Sequence, residues 1–574
     1  MTPETDYDVV IVGSGAGGML TAIRCHDLGL RAMVVEKSHF YGGTSALSGG
    51  QFWIPGNHLM EQPDERSPVE AYLRAVTKGE IDEDKMAVYL DEGPALVRYL
   101  QHIGIDLFTF PFPDYFPEIP GGTGNRTLAP VNFDAAELGS EFFNLREAAL
   151  CWRIFGRYAM DVPDLAVFGT RLPGWRRRFL KIALAYWLDI PWRRKTRRDR
   201  RLTLGGALIG RLRKAMLDRD IPLLLNTELV RLTGGSHAIS GAVLNRDGRE
   251  FAVSARRAVV LAAGGFEHSQ ELRDQYLPVS TMAQASLTPG TNAGAALRAG
   301  IAAGADTEHL EHAWWTPVMI LPDPARPDTL VSHPAFRLPG AFLVNKAGKR
   351  FVNESSSYDR VGQAMIAEAK KDGGSPICWM IFDSRYRKRY AAGPILPSDV
   401  SPDARLPAGW LDNFLFRSDT IAGIAAKIGV DAGVLTLAAA QMNRCAAIGD
   451  DPDFLRGRES YDRATAGDER VQPSSCLAPV DTAPFYAIRI DLGDLGTKGG
   501  LRVDAQASVL NAQGGLIPGL YAIGNAAGSI FAGSYPGGGA TLGPAMTFGY
   551  VAAQTIFHEG DPRRNAGADA DNES

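Results

Sequence analysis

The stretch DYDVVIVGSGAGGMLTAIRCHDLGLRAMVVEK, residues 6–37, limits the possible folds more than any other feature of the chain. Asp8 to Val12 is a short β-branched run suited to a strand buried in a parallel sheet. Gly13, Gly15 and Gly18 follow as G-x-G-x-x-G, and Met19 to Leu28 has helical composition that Gly29 stops. A second strand over Ala32 to Val35 ends in Glu36, eighteen residues after Gly18. Each position has a physical reason. Gly13 makes the turn, Gly15 lets a pyrophosphate approach the backbone, and Gly18 lets helix and strand pack closely. The helix N-terminus faces the phosphates and Glu36 accepts from ribose hydroxyls. An acid there repels a 2′-phosphate, which disfavours NADP.

Three distant segments point back to the same nucleotide. YGGTSALSGG (41–50) is a second small-residue stretch, while AVVLAAGGFE (258–267) and GLYAIGNAAG (519–528) are strands that end at glycine. Returns of this kind resemble the glutathione-reductase-like fold, in which FAD lies extended. The expected class is α/β, α+β overall: a Rossmann FAD-binding domain with an inserted α+β substrate domain. The expected FAD contacts are Gly13, Gly15, Ala16, Gly18, Glu36, Lys37, Gly43, Thr44, Ser45, Gly49 and Gly50 from the first part of the chain. Ala263, Gly264, Gly265, Gly524, Asn525, Gly539 and Leu542 complete the set. No second strand-linked G-x-G-x-x-G is found, so a separate nicotinamide domain is not expected and electrons leave to another acceptor.

At 574 residues the chain exceeds what one hydrophobic core supports. The expected boundaries are a discontinuous flavin domain, 1–312 and 497–574, and a substrate domain, 313–496. The polar end, HEGDPRRNAGADADNES, is expected to lack fixed structure. Five cysteines without a CxxC pair indicate neither a disulfide framework nor a metal site, and a reducing compartment is the simpler reading. No secretory signal and no apolar run of 18 residues is visible.

One further set of motifs is more specific. GGTSALSGGQFWIPGN (42–57), FPDYFPE (112–118), HAWWTP (312–317), GKRFVNESSSYDR (348–360), DLGTKGGLRVD (494–504) and SYPGGGATLGPAM (534–546) occur in this order along nearly the whole chain. Together they resemble the 3-ketosteroid Δ1-dehydrogenase family, within the fumarate-reductase-type flavoproteins. The resemblance implies four catalytic positions. Tyr358 matches the base that takes the steroid C2 proton, and Tyr115 a tyrosine that supports it. Tyr535 and the backbone N–H of Gly539 match the pair that grips the C3 carbonyl oxygen. Local physics agrees, since two donors on a ketone oxygen acidify its α-proton. Tyr535 and Gly539 lie four residues apart, on a loop that leads into a helix expected near Thr541. A phenol of ordinary pKa about 10 is a poor base. Tyr358 must therefore be shifted down by neighbours or act in concert with hydride loss. Trp314 and Trp315 could wall a pocket or fill a core, and Asn353 and Glu354 are expected to order the tyrosine loop. No His/Arg cluster of the kind that clamps dicarboxylates is seen. The alternatives are a 3-ketosteroid Δ4-(5α)-dehydrogenase and a non-steroid flavin electron-transfer protein.

An insertion stands apart, assigned to residues 135–201. Some 80 residues separate FPDYFPE from LTLGGALIGRL (202–212), and they end in RLPGWRRRFLKIALAYWLDIPWRRKTRRDRR, 171–201. Ten Arg and two Lys face two Asp there, a net of +10, which leaves −15 for the rest of a chain whose total is −5. The apolar centre is too short to span a bilayer and is bordered by Trp175, Trp187 and Trp192. Such a segment suits a helix lying in a lipid headgroup layer. The expected setting is cytoplasmic, peripheral on the inner face of the cell membrane. A 3-ketosteroid substrate and a quinone or other acceptor fit that setting, which leans towards sterol-derived ketones that keep their side chain. Nucleic acid is not an expected partner, and no metal ligands are assigned.

Overall fold

In the computed structural model, residues 6–560 are described except 110–111, 236–237, 323–328 and 332. Residues 561–574, most of the polar end expected to lack structure, lie outside the described residues.

The chain opens with strand β1 (Asp6–Val12), helix α1 (Ala16–Asp27) and strand β2 (Ala32–Val35), with β1 and β2 parallel. Val9 and Ile11 enter one hydrophobic core and Val10 and Val12 another, so both faces of β1 are covered. This is why the run does not alternate. Helix α1 begins at Ala16 rather than at Met19, because the glycine-containing first turn itself carries the N–H groups that a phosphate would meet.

The insertion follows, with helix α2 (Trp175–Leu188) as its largest element. Ile182 and Tyr186 of α2 pack with Tyr158 in a small satellite core. On its other side Leu180, Leu184, Trp187 and Leu188 are 49–71% exposed. Trp192 is not at a surface: it is buried against Phe142, and its indole donates to the Arg198 carbonyl. The +10 is also partly satisfied by acids outside the segment. Arg171 pairs with Asp399, Arg178 and Arg201 with Asp164, and Arg200 with Asp134. Arg176, Arg177, Lys181, Arg194, Lys195 and Arg197 have no acidic partner among the described residues.

Strand β3 (Arg249–Leu261) then lies parallel to β1. A second sheet is built around β4 (Ala313–Ile320) and β5 (Phe485–Thr497), antiparallel to each other, with strands 341–344, 377–383 and 415–418 beside them. Helix α3 (Tyr358–Asp372) packs on β4. Strand β6 (Leu516–Ala522) returns to the first sheet, parallel to β3, and helix α4 (Leu542–Glu559) runs against α1. The first sheet therefore carries β2, β1, β3 and β6 side by side, all parallel where they meet.

Candidate active site

Four sequence-distant segments leave the C-terminal ends of those four neighbouring strands. They are Glu36 after β2, Gly13 after β1, Ala263 after β3 and Gly524 after β6. Ligands in open α/β sheets bind in that crevice. Helix α1 has no side-chain cap, so its first N–H groups face outward, apart from Ala16, which donates to the Ser45 hydroxyl at 3.1 Å.

The glycines separate into two kinds. A Cβ on Gly13 would sit 2.3 Å from the Ala262 carbonyl oxygen, and its φ is +114°. A Cβ on Gly15 would meet only the Ser45 hydroxyl, at 3.5 Å, and one on Gly43 only the Gly15 backbone, at 3.8 Å. Gly13 is thus required by the protein itself. Gly15 and Gly43 face a cradle that a methyl group would fill, and this fits an extended dinucleotide lying across the end of α1.

Glu36 is held where a ribose would reach it. Ser14 donates to one oxygen, hydroxyl at 2.5 Å and amide at 3.2 Å, and the Ser38 amide to the other at 2.9 Å. Lys37 does not join the cradle; it is exposed and ion-paired with Glu228 at 2.7 Å. Thr44 accepts from Asn292 at 3.1 Å, and Asn292 also donates to buried Glu267. Asn525 accepts from the Trp314 indole at 3.1 Å. Gly49, Gly50, Gly264 and Gly265 occupy the turns that follow the short helix Gly43–Leu47 and β3, and Leu542 opens α4. Ser14, Asn292 and Glu267 were not anticipated. Ser14 lies inside the glycine motif, where its role could have been noticed, but the other two become neighbours only through the fold.

Beyond the cradle, three phenols meet. Tyr115 donates to Tyr358 and Tyr358 to Tyr535, each at 3.1 Å between oxygens, and the rings lie 5.0–5.7 Å apart. The Tyr115 amide and the Tyr72 hydroxyl both donate to the Pro536 carbonyl, which fastens the Tyr535 loop. Buried Asp114 secures Tyr115 by accepting from the Trp53 indole at 2.7 Å and from Arg126 at 2.5 Å. Tyr358 is the first residue of α3. The loop before it is held by Glu354, which takes both Arg350 and Arg456, and by Asn353 on Asp462. The adjacent tryptophans diverge on β4. Trp314 meets Tyr535 edge to face, with ring centroids 4.7 Å apart, while Trp315 enters the other core. Tyr461, whose ring lies 5.3 Å from Tyr115, is a fourth tyrosine that no motif announced.

Gly539 has φ +97°, and a Cβ there would come within 2.6 Å of the Phe52 backbone. Burial pushes the Tyr535 phenol up to about 12, against the lowering pull of the Tyr358 and Thr541 hydroxyls and the Gly539 amide. Tyr535 and Gly539 lie on one loop, and a carbonyl oxygen that reached both the phenol and the amide would meet two donors. The Tyr358 and Tyr115 phenols are also raised well above their usual range by burial and by the neighbouring phenols. Of the two routes open to a tyrosine base, a phenol shifted down or one that acts in concert with hydride loss, the raised Tyr358 phenol is at odds with the first. At Tyr358 desolvation is the largest cause, and the contacts with Tyr115 and Tyr535 push in the same direction.

Known proteins place this arrangement. The model of the FAD binding domain family matches residues 8–542. A 3-oxosteroid 1-dehydrogenase of Mycobacterium tuberculosis is 34% identical, over 97% of this chain and 99% of its own length. A 4-oxocyclohexanecarboxylate 2-dehydrogenase of Sinomonas cyclohexanicum is also 34% identical, over 97% and 93%. The solved 3-ketosteroid Δ1-dehydrogenase of Sterolibacterium denitrificans, in complex with 1,4-androstadiene-3,17-dione, is 43% identical and superposes with a TM-score of 0.92, covering 97% of this chain and 100% of that one. FAD is the cofactor that the cradle fits, and the chain belongs to the FAD-dependent 3-oxosteroid 1-dehydrogenase family.

Proposed function

We propose that this protein oxidises a 3-keto-4-ene steroid to the 1,4-diene, removing hydrogen from C1 and C2. The observation that carries the reading is the line of three phenols, which ends on the loop that also bears Gly539. Tyr535 and Gly539 hold the C3 oxygen and stabilise the charge that develops there. Tyr358 takes the C2 proton, and Tyr115 donates to the Tyr358 oxygen as it does so. With the phenols held neutral, Tyr358 does not wait as a phenolate. The proton moves as the ketone is polarised and the C1 hydride departs. Bound FAD supplies the hydride acceptor. Direct contact of Tyr115 with Tyr358 favours the 1,2-dehydrogenation over the 4,5-reaction. The flavin domain would comprise 1–312 and 497–574, and the substrate domain 313–496.

The same reading places the protein on a membrane surface, through the exposed apolar side of α2 and its unpaired basic flanks. No helix among the described residues is long and apolar enough to cross a membrane. A lipid-dissolved quinone as acceptor and a sterol-derived ketone with its side chain suit that position.

An anaerobic titration with androst-4-ene-3,17-dione, cholest-4-en-3-one and 4-oxocyclohexanecarboxylate tests the substrate. Bleaching of the flavin by either steroid, with formation of the 1,4-diene and none in Tyr358→Phe, is expected. Bleaching by the monocyclic acid alone would move the assignment to small ring ketones. Co-sedimentation with anionic vesicles, lost in Leu184→Asp/Leu188→Asp, tests the membrane surface; equal sedimentation of both proteins would reject it.

A further inference from the structure

Lys498, the residue after β5, is a buried lysine in which neither the cofactor cradle nor the phenol line has a part. Its side chain is wholly inaccessible. The backbone is pinned on both sides, since its amide donates to the His312 carbonyl and its own carbonyl accepts from Ser529, each at 2.9 Å. The ammonium group donates to the carbonyls of Gly533 at 2.8 Å and Ser534 at 3.0 Å, the two residues before Tyr535. It also lies 3.4 Å from a carboxylate oxygen of Asp359, the residue after Tyr358. Three acceptors match the three hydrogens of a charged ammonium; a neutral amine has only two to give. The charge stands 4.6 Å over the Trp314 ring and 5.7 Å from the Tyr535 ring centroid, and Trp314 itself packs edge to face on Tyr535.

We infer that Lys498 is a positioning residue for the phenol pair, holding the Tyr535 loop and the start of the Tyr358 helix together and placing a fixed positive charge behind the C3-oxygen grip. The inference rests on the reading of Tyr535 and Tyr358 as the working phenols. The two segments that bear them come from distant parts of the sequence, and their oxygens must stay in contact for the grip and the proton acceptor to act on one ketone. One side chain bonded to both loops sets that distance. Its charge, buried away from water, also favours the negative charge that grows on the ketone oxygen in the transition state and does little for the neutral ketone before it.

The competing explanation is that Lys498 only neutralises Asp359. Removing one member of a buried pair leaves a bare charge, whereas removing both is often tolerated. The experiment therefore compares FAD-loaded wild type, Lys498→Met and Lys498→Met/Asp359→Asn by stopped-flow flavin reduction with androst-4-ene-3,17-dione, with product affinity and FAD content measured alongside. The double variant is expected to keep FAD and to bind product within about threefold of wild type, yet to reduce its flavin about tenfold or more slowly. Recovery of the wild-type rate in the double variant would show that the lysine serves Asp359 alone and overturn the inference, as would a wild-type rate in Lys498→Met. A wild type that turns over beside unaltered variants rejects only the role of Lys498. A wild type whose flavin no ring ketone reduces rejects the functional reading, and the inference with it.

Discussion

A phenol whose neutral form is favoured by burial is a durable donor. Tyr535 is pushed up to about 12, so its proton stays in place as pH rises through the range where a free tyrosine ionises. Between pH 7 and 10.5, the rate constant of flavin reduction should show no falling limb near 10; such a limb would mean that Tyr535 ionises like a free phenol. With Tyr535 as one of the two proposed donors to the ketone, Tyr535→Phe should lower that rate constant about 10²–10³-fold. Loss of the proton acceptor in Tyr358→Phe should cost about 10²–10⁴-fold. Both losses should fall mainly on the rate and much less on steroid affinity, which stopped-flow amplitude and rate data separate. The motifs around Tyr115, Tyr358 and Tyr535 made these residues legible. Their protonation state was not, because desolvation depends on everything packed around them. Tyr461 and Asp114 carried no recognisable signal for the same reason.

At the scale of elements, the β1–α1 turn does two separable jobs with glycines that look alike in sequence. Gly13→Ala should strain the turn itself, through an unfavourable φ and the overlap with Ala262, and destabilise the protein by about 1–3 kcal/mol whether or not FAD is bound. Gly15→Ala has room within the protein but projects into the cradle. FAD affinity should fall at least tenfold, while the thermal midpoint of the FAD-free form stays within a degree or two of wild type. Fluorescence titration of FAD and thermal melts of the stripped protein check both. Equal losses in the two variants would show that the glycines are not divided in this way. Loop positions depended on partners. The Tyr535 loop is fastened through Pro536 by Tyr72 and Tyr115, and neither contact follows from local propensity.

The whole molecule adds a tie between the insertion and the second sheet. Arg171 pairs with Asp399, and Arg470 reaches the Thr170 carbonyl while bonded to Asp468. Asp468 also accepts from Tyr390 and pairs with Arg389; against the opposing effect of burial, Arg470 first, then Tyr390 and Arg389, hold its carboxyl down to about 2. A depressed carboxyl stabilises above its unfolded pKa and loses that contribution as pH falls through its folded one. Asp468→Asn should therefore cost about 2 kcal/mol at pH 6, with the gap to wild type closing as pH falls towards about 2. Urea unfolding across that range measures it, and a gap that stays constant would refute the assignment. The sequence by itself determined the nucleotide cradle, the family and the three tyrosines, because turn geometry, strand-end glycines and motif order are local properties. The tertiary structure decided that Trp192 is core, that Lys37 lies outside the cradle and that a third of the basic charge of 171–201 is paired. It also decided that the phenols are neutral. Burial and ion pairing are sums over neighbours that a linear sequence does not list, and folding alone brings them together.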